Sequence, residues 1–407
     1  MATDSLLSDE LPVLAPDQLL LRDSIRRFVS KEIVPIEGEL RRNGATEIPE
    51  SVLGPIQEKA RRSGLWCFET PEKFGGAGMG PMELALAYEE GAKHTYSSPD
   101  VGGGAFGFDP PNILQAGTPE QQEKYIPPAV NEGSQWFMAV TEPSGGSDPA
   151  RSIQTRARRV NGDWVIDGAK MFTSRADVAT HGIIFARTGE GRAGITAFIV
   201  TMPVKGMSIR KVEVIRDHHT TEVTLEGVRV SDADVLGEVG GGFNLSQRWF
   251  NIGRIKIAAQ AIGMATAALE IAIDYAKQRS TFGQLLAARQ LVQKKIVDSY
   301  IAIQAGRWLV YEAALRAERG EDPKNVASAA KVFCTEEGYK VVDRAMQILG
   351  GIGLAREMPL EHWLRAIRVL RVVEGPTEVH EMVLARALLG QAATGRTTTS
   401  VREGDVR

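Results

Sequence analysis

The chain has 407 residues, of which 43% are hydrophobic and 24% are charged. At roughly 150 residues per domain, this length leaves room for two or three domains, and the apolar fraction excludes a wholly disordered protein. The 48 lysines and arginines stand against 51 acids, so the net charge of −3 offers no broad attraction for polyanions. We therefore expect a folded protein that binds neither nucleic acid nor a membrane surface.

The two cysteines, Cys67 and Cys334, lie far apart without CxxC spacing, and the six histidines show no HExxH pattern, so neither a disulfide framework nor a metal site is indicated. The first residues carry acids where a signal or transit peptide would carry bases. The longest apolar segment, 257–273, is rich in alanine and interrupted by Gln260 and Glu270, which favours a packed helix over a membrane span. These features predict a reduced, cytoplasmic protein.

The first third of the chain has the spacing of helices, with apolar residues recurring every three or four positions from Pro16 to about Glu123. Its Pro/Gly-rich stretches, 72–82 and 97–111, are typical of ordered loops between helices. The glycines of 72–82 lack the preceding strand that a dinucleotide fingerprint requires. We predict a helical domain over 1–134.

The pattern then changes to short runs of Val, Ile, Thr and Phe separated by turn signals such as 161–163 and 190–194. This alternation predicts a β domain over 135–243, folded as a sandwich or barrel without crossover helices.

Helical spacing returns after residue 243. Ile255, Ile262, Leu269 and Ala276 recur seven apart, as in the seam of a bundle. Further helices are predicted over about 287–319, 323–349 and 359–373, with a last helix opening at Pro376. The fold class is therefore α+β and multidomain: an N-terminal helical domain, a β domain, a four-helix-bundle-like domain over 244–395, and a flexible tail over 396–407.

The passage into the β domain, MAVTEPSGGSD at 138–148, is a strand that ends in hydroxyl and glycine residues. Read alone, it is either an ordinary turn or a set of backbone donors suited to a flat polar ring or a phosphate. The order of its residues resembles the first signature of the acyl-CoA dehydrogenase family, in which this segment lines the isoalloxazine ring of FAD. The resemblance implies FAD contacts at Met138, Val140, Thr141 and Ser147.

Thirty residues on, KMFTS at 170–174 resembles the family segment that packs an aromatic ring against the flavin and offers a hydroxyl to its reactive nitrogen. The family usually has tryptophan and threonine, and the matching positions here are Phe172 and Ser174. A covering ring excludes water and a hydroxyl at N5 stabilises an arriving hydride, so both replacements conserve the chemistry in a weaker form. Without the resemblance, Phe172 would be read as a strand core residue.

Two further matches lie in the last domain. RSTFG at 279–283 resembles the family's basic-x-Thr-Phe-Gly turn with its downstream glutamine, although arginine and glycine also cap ordinary helices. QILGGIG at 347–353 resembles the second signature, whose loop contacts the FAD of a neighbouring subunit and so implies a homodimer or homotetramer. The cofactor contacts implied here are Arg279 (to the pyrophosphate), Thr281, Phe282, Gln290, Gln347, Gly350 and Gly351.

The candidate general base is Glu374, which follows the apolar run 369–373. A carboxylate there would be desolvated, and desolvation raises a pKa toward the value a general base needs. The alternative is a solvated glutamate at a helix end, but the family's catalytic base occupies a Glu-Gly pair at this distance past the second signature. A few relatives place the base on the long helix instead, where this chain has Gly253, so Glu374 has no acidic rival.

Other matches to the family are less specific. Asn251 and Arg254 match residues that contact CoA or the acyl group, and Arg386 matches a basic position of the last helix, so we expect all three on the substrate side. Pro376 and Glu378 replace the small hydroxyl and the glutamine that usually touch the flavin diphosphate. GPTEVH at 375–380 resembles the branch that contains the mammalian members called ten and eleven.

The resemblance implies FAD-dependent α,β-dehydrogenation of an acyl-CoA thioester: Glu374 takes the α proton, the β hydride passes to flavin N5, and the carbonyl is polarised by the Glu374 amide and a ribityl hydroxyl. The resemblance leaves the electron acceptor open, and we expect electron-transfer flavoprotein because 407 residues is the length of a dehydrogenase without the extra C-terminal domain of large oxidases. An oxidase using O2, a non-catalytic FAD protein that binds DNA and a scaffold without FAD remain alternatives, and the net charge disfavours the second.

Overall fold

The computed structural model describes residues 14–96 and 104–394, so the first thirteen residues, part of the loop predicted at 97–111 and the tail predicted over 396–407 lie outside the described residues. Within these ranges the chain forms a helical region, a sheet and a second helical region, in that order. This is the order that the sequence predicts.

The helices of the first region begin at or beside a proline or a polar residue, and both favour the first turn of a helix. The Thr118 hydroxyl accepts a hydrogen bond from the amide of Gln121 at 3.2 Å, and Gln121 Oε1 accepts one from the amide of Thr118 at 3.1 Å, which caps the last of these helices. The bounds are α1 Pro16–Glu32, α2 Val34–Arg42, α3 Glu50–Arg62, α4 Pro81–Ala92 and α5 Pro119–Glu132.

The middle region is one mixed sheet of eight strands in the order β6-β7-β3-β2-β4-β5-β8, with β1 joined to β4 in parallel. A four-residue helix, α6 Pro149–Ser152, follows β1. The strands are β1 Trp136–Ala139, β2 Arg156–Val160, β3 Asp163–Thr173, β4 His181–Arg187, β5 Ile195–Thr201, β6 Met207–Val212, β7 Thr220–Val230 and β8 Val235–Leu236.

Strands β4 and β5 are covered on both faces. Ile183 and Phe185 pack into the large core shared with the helices, whereas Ile184 and Ala186 pack into a separate apolar cluster on the opposite face. Successive residues of a strand point to opposite faces, so a continuous apolar run is what a strand buried on both sides requires.

The last region is a bundle of long antiparallel helices with two shorter ones. The seam residues Ile255, Ile262, Leu269 and Ala276 are each 1% exposed or less. A two-stranded hairpin, β9 Ser280–Thr281 and β10 Gln284–Leu285, follows the first helix. The helices are α7 Gly242–Gln278, α8 Gln290–Glu318, α9 Lys324–Leu349, α10 Leu360–Leu370 and α11 Thr377–Leu389.

Two predicted helix ends differ from the structure. The helix predicted over 287–319 begins at Gln290, because residues 286–288 form a short 3₁₀ turn after the hairpin. The helix predicted over 359–373 ends at Leu370, and the chain then turns through 371–376 before α11. This turn carries Glu374.

Helix α7 is long and apolar enough to cross a membrane by length and composition, but 78% of its most apolar window is buried inside the protein. It packs against α9, α8 and α4, which makes it the central helix of the fold. Its alanine-rich surface allows these neighbours to approach closely.

Candidate active site

One large cavity, of about 1850 Å³, lies where the sheet meets α7, the turn after α10, and a loop at 108–112. Ligand pockets typically occupy about 300–1,000 Å³, so this cavity has room for two ligands side by side. Nine of the residues predicted from the sequence line it: Met138, Val140, Thr141, Ser147, Phe172, Ser174, Arg254, Glu374 and Arg386.

The two segments predicted to contact flavin lie side by side. The amide of Met171 donates to the carbonyl of Thr141 at 2.9 Å. Lys170, which is fully buried, donates from Nζ to the Val140 carbonyl at 3.2 Å and to Glu142 Oε1 at 2.8 Å. The ion pair thus ties the strand that carries Phe172 to the loop that follows β1.

Glu142 is itself a buried anchor of that loop. Its two oxygens accept hydrogen bonds from the amides of Gln154 at 2.6 Å and Thr155 at 3.0 Å. Burial lowers the pKa of Lys170 to about 8, against the opposing effect of Glu142. Both groups therefore remain charged near neutral pH, and each satisfies the other.

Phe172 has a left-handed backbone, with φ of 56°, and its side chain is 56% exposed where it lines the cavity. A phenylalanine in this conformation is unusual, and such strain is tolerated where the surrounding structure imposes it. The aromatic ring is therefore presented to the cavity rather than packed in the strand core.

Ser174 lines the same cavity, and its Oγ accepts a hydrogen bond from Arg216 Nη2 at 2.9 Å. Because the guanidinium can only donate, the serine hydroxyl keeps its own hydrogen for an acceptor in the cavity. Burial, followed by the charge of Arg175, lowers the pKa of Arg216, so a partly desolvated cation stands behind this hydroxyl.

Glu374 lies in the turn between α10 and α11, and its carboxyl group faces α7. A Cβ added to Gly253 would lie 3.5 Å from Glu374 Cδ, so the absence of a side chain at Gly253 makes room for this carboxyl group. Gly253 and Glu374, the two positions at which members of the family carry the general base, therefore lie next to each other at one place in the cavity.

The backbone of Glu374 is also left-handed, with φ of 55°, and three side chains hold this turn in place. Lys331 donates to the Gly375 carbonyl at 2.7 Å, His380 contacts the Glu374 carbonyl at 3.1 Å, and the Arg254 Nε contacts the same carbonyl at 3.4 Å. Strain at a functional residue persists when its surroundings over-determine it, as they do here.

The protonation of His380 follows from its partners. Burial is the main cause that lowers its pKa to about 4, so the ring is neutral at pH 7. A carbonyl can only accept, which assigns the proton to Nε2, and Nδ1 then accepts from the hydroxyl of Ser328 at 3.1 Å.

The residues predicted to contact the substrate differ in whether they line the cavity. Arg254 is buried and lines the cavity, whereas Asn251 does not line it and instead accepts a hydrogen bond from Arg254 Nη1 at 2.9 Å. Arg386 is exposed at the α11 side of the cavity. Pro376 lines the cavity, and Glu378 is exposed.

The remaining predicted cofactor contacts do not line this cavity. They lie on the surface of the helical bundle, where Phe282 is 97% exposed and Leu354, beside the second signature, is 69% exposed. The residues placed there are Arg279, Thr281, Phe282, Gln290, Gln347, Gly350 and Gly351.

Sequence reasoning did not identify Lys331, Lys170 or Arg216. The burial of Lys170 could have been predicted, because it is an even number of residues from the core residues Trp164 and Ile166 on the same strand. Alternate residues of a strand lie on the same face. Lys331 and Arg216 act through contacts with residues 40 or more positions away, and no local pattern announces those contacts.

The residues present fit FAD. The chain offers an exposed aromatic face at Phe172, hydroxyl groups at Thr141, Ser147 and Ser174, and a cavity larger than one ligand requires. Within residues 14–96 and 104–394, no three His, Cys, Asp or Glu side chains come together as a metal ion would need. The fold and the cavity thus define a three-domain flavin-dependent oxidoreductase.

Family models match nearly the whole chain in three consecutive parts: acyl-CoA dehydrogenase N-terminal domain over 15–133, middle domain over 137–228, and C-terminal domain over 240–389. The chain belongs to the acyl-CoA dehydrogenase family, whose members bind FAD and dehydrogenate acyl-CoA thioesters.

Individual relatives agree. The chain is 36% identical to (R)-benzylsuccinyl-CoA dehydrogenase of Thauera aromatica, over 94% of this chain and 97% of that protein. The solved structure of butyryl-CoA dehydrogenase from Megasphaera elsdenii is 30% identical with a TM-score of 0.81, covering 93% of this chain and 100% of that one. A chain from a structure titled as the electron transferring flavoprotein of Acidaminococcus fermentans is 28% identical with a TM-score of 0.82, covering 94% and 100%.

Proposed function

We propose that Glu374 is the general base that removes the α proton of the acyl-CoA thioester. The observation that carries this proposal is the position of its carboxyl group, in the large cavity, opposite Gly253 and in a turn held by three side chains. FAD, when bound, supplies the acceptor for the β hydrogen and its electron pair. The α proton goes to the Glu374 carboxylate, so proton and electrons leave the substrate by different routes.

The other cavity residues have supporting roles in this proposal. The Glu374 amide donates to the thioester carbonyl, which makes the α proton more acidic. With FAD bound, Phe172 would cover the flavin ring and exclude water, and the Ser174 hydroxyl would donate to a ring nitrogen. Met138, Val140, Thr141 and Ser147 line the cavity from the adjacent segment and would contact the same ring.

The test is Glu374→Gln, which keeps the size of the side chain but cannot take a proton. We expect the variant to retain bound flavin and its yellow colour while turnover falls by about 10²–10⁴-fold. Glu381→Gln, at an exposed position of α11, is the matched control. Normal dehydrogenation by the Glu374 variant would overturn the assignment.

Electron-transfer flavoprotein is the proposed acceptor, since the relatives named above include dehydrogenases. Turnover with that protein as acceptor supports this choice. Stoichiometric peroxide formed from O2 would instead identify the oxidase alternative.

A homodimer or homotetramer is proposed because the cofactor contacts expected around Phe282 and Gly350 face outward from the single chain. Other apolar side chains of the helical bundle are exposed as well, including Leu291 at 78% and Leu388 at 83%. Phe282→Glu should shift the mass measured by analytical ultracentrifugation toward the monomer and reduce flavin content. An unchanged mass would argue against this surface.

Arg254 and Arg386 are proposed to contact the thioester and its CoA part, with Asn251 positioning Arg254. A cytoplasmic location is proposed from two cysteines that are both buried and unpaired with each other. The branch of the mammalian members ten and eleven stays a prediction that rests on GPTEVH at 375–380.

A further inference from the structure

One face of α7 lines the cavity over two turns beyond the position of Glu374. Gly253, Lys256, Ile257 and Gln260 are spaced three, four and seven residues apart, which places them on one side of the helix, and all four line the cavity. At a rise of about 1.5 Å per residue, Lys256 lies about 4.5 Å along the helix axis from Gly253. The wall next to the proposed base is therefore polar rather than purely apolar.

Lys256 forms an ion pair with Glu69 in which both side chains are nearly buried, at 12% and 9% exposed. Its Nζ also lies 5.0 Å from the centroid of the Tyr88 ring. The other oxygen of Glu69 accepts a hydrogen bond from Asn112 Nδ2 at 3.0 Å. Within this group the charges of Glu69 and Lys256 compensate each other.

Asp109 stands beside this pair and lines the same cavity. Its Oδ1 accepts three hydrogen bonds: from the amides of Glu69 at 3.1 Å and Thr70 at 2.9 Å, and from the Thr70 hydroxyl at 2.7 Å. Among the residues that the structure describes, no donor reaches Oδ2. Asp109 is thus fixed by one oxygen and presents a second oxygen for which the described residues supply no partner.

The electrostatic setting selects among possible ligands. Burial, with a further contribution from Glu69, raises the pKa of Asp109 to about 7. Near neutral pH Asp109 is therefore partly ionised, and its ionised form can only accept, so a hydroxyl or ammonium group of a ligand would supply the donor that Oδ2 lacks. A ligand carboxylate would meet the charges of Glu69 and of ionised Asp109, which disfavour it.

We propose that the substrate is an acyl-CoA whose acyl chain carries a hydrogen-bond donor, a hydroxyl or an amino group, beyond the β carbon, and that Asp109 Oδ2 accepts from it. This inference rests on the proposed function, because it takes the thioester to lie at Glu374. It assigns Asp109 as a specificity-determining residue, with Glu69 and Lys256 holding it in a charge-balanced wall.

The first experiment compares substrates on the wild-type holoenzyme with a dye acceptor. Matched thioesters of CoA are hexanoyl, 6-hydroxyhexanoyl, 6-aminohexanoyl and adipoyl, together with the corresponding five-carbon series. We expect kcat/KM for the hydroxy or amino compound to exceed that of the plain chain at least tenfold in one series, with the terminal carboxylate lowest. The proposal fails if the plain or carboxylate chains are preferred in both series.

The second experiment removes the acceptor. Asp109→Asn keeps the oxygen that holds residues 69 and 70 but replaces Oδ2 with a donor, so the preference for the amino compound should fall at least tenfold. Asp109→Ala should lose the preference for both compounds, and if it does not fold, the Asn variant decides. Asp163→Asn, at the exposed start of β3 outside the cavity, is the control. Preferences unchanged in Asp109→Asn and Asp109→Ala would overturn the role of Asp109.

A failure of the proposed function remains distinguishable. If no thioester is dehydrogenated, the assignment of Glu374 fails, while calorimetric binding of the same thioesters to wild type and Asp109→Asn still measures the donor preference. Tighter binding of the donor-bearing chains, lost in the variant, supports the role of Asp109. Equal binding of plain and donor-bearing chains refutes it.

Discussion

The fully buried ammonium of Lys331 lies 2.7 Å from the carbonyl oxygen of Gly375, the residue that follows Glu374. The same ammonium donates to the Arg371 carbonyl at 3.0 Å, so it closes the turn from both sides. Burial lowers the pKa of Lys331 to about 8, with Glu374 opposing the shift. The buried ammonium of Lys331 therefore holds the backbone of this turn and does not contact the substrate.

Lys331→Met should therefore lower kcat more than it raises KM. Without the ammonium the left-handed Glu374 can relax, and a displacement of about 1 Å at a reacting group costs about 10²-fold in rate. Steady-state kinetics with the flavin content of each preparation measures this. Lys340→Met, an exposed lysine of the same helix, is the control. A variant that loses stability but keeps kcat per bound flavin would show that Lys331 has a structural role alone.

The face-to-face placement of Gly253 and Glu374 predicts that the base can be moved. Glu374→Gly should lose about 10²–10⁴-fold in kcat, and adding Gly253→Glu should recover part of it, because a Cβ at Gly253 starts 3.5 Å from the carboxyl group it replaces. Gly253→Gln in the same background has the same bulk without a base. Equal rates for the Glu and Gln double variants would contradict the prediction.

The Ser174 hydroxyl, held by Arg216, is expected to make a single hydrogen bond in the cavity. Removing it by Ser174→Ala should cost about fivefold in kcat/KM, the equivalent of one hydrogen bond of about 1 kcal/mol. A change in the visible flavin spectrum of the variant would be a readout independent of turnover. Ser208→Ala, exposed on β6, is the control. An unchanged spectrum and rate would remove Ser174 from the site.

How far the sequence predicts this site depends on whether the relevant contacts are local. The α7 seam is visible because residues seven apart share a helix face, and Glu374 is visible because its neighbours form a family motif. The wall formed by Glu69, Asp109 and Lys256 is invisible in the sequence, since its members are separated by as many as 187 positions. Only the packing of the N-terminal loops on α7 brings them together.

The end of α10 also depends on contacts that the local sequence does not show. The period of α10 continues in the sequence through Val372 and Val373, yet the helix stops at Leu370. Both valines are exposed toward the cavity, at 52% and 36%. The turn is imposed by the contacts of Lys331 and His380, which compete successfully with local helix propensity.

The ion pair of Lys170 and Glu142 predicts a stability effect. Lys170→Met leaves a buried, uncompensated carboxylate, so the free energy of unfolding should fall by about 3–5 kcal/mol. Glu142→Gln added to this variant removes the charge and should restore part of the loss, with one of the two amides of Gln154 and Thr155 keeping an acceptor. Urea unfolding followed by circular dichroism measures both. A double variant less stable than the single one would contradict this account.

Asp217 joins the sheet to the last domain, and this contact predicts a dependence of stability on pH. It accepts from His362 Nδ1 at 2.6 Å and from Arg365 Nη1 at 2.6 Å. These partners, His362 first, hold the pKa of Asp217 well below its ordinary value of 3.8. A group whose folded pKa is depressed stabilises the fold fully above its unfolded pKa and loses that contribution as the pH falls toward its folded pKa.

Asp217→Asn should therefore lower the free energy of unfolding at pH 7, and the difference from wild type should shrink as the pH is lowered below about 4, where the wild-type carboxylate begins to lose its advantage. Urea titrations at pH 7, 5, 4 and 3 measure the difference, and Asp163→Asn, at the exposed start of β3, corrects for general charge effects. A difference that is constant over this range would mean that Asp217 acts through its hydrogen-bond geometry and not through its charge. A difference that grows as the pH falls would reverse the sign argued here and exclude the ion pair as the link between the domains.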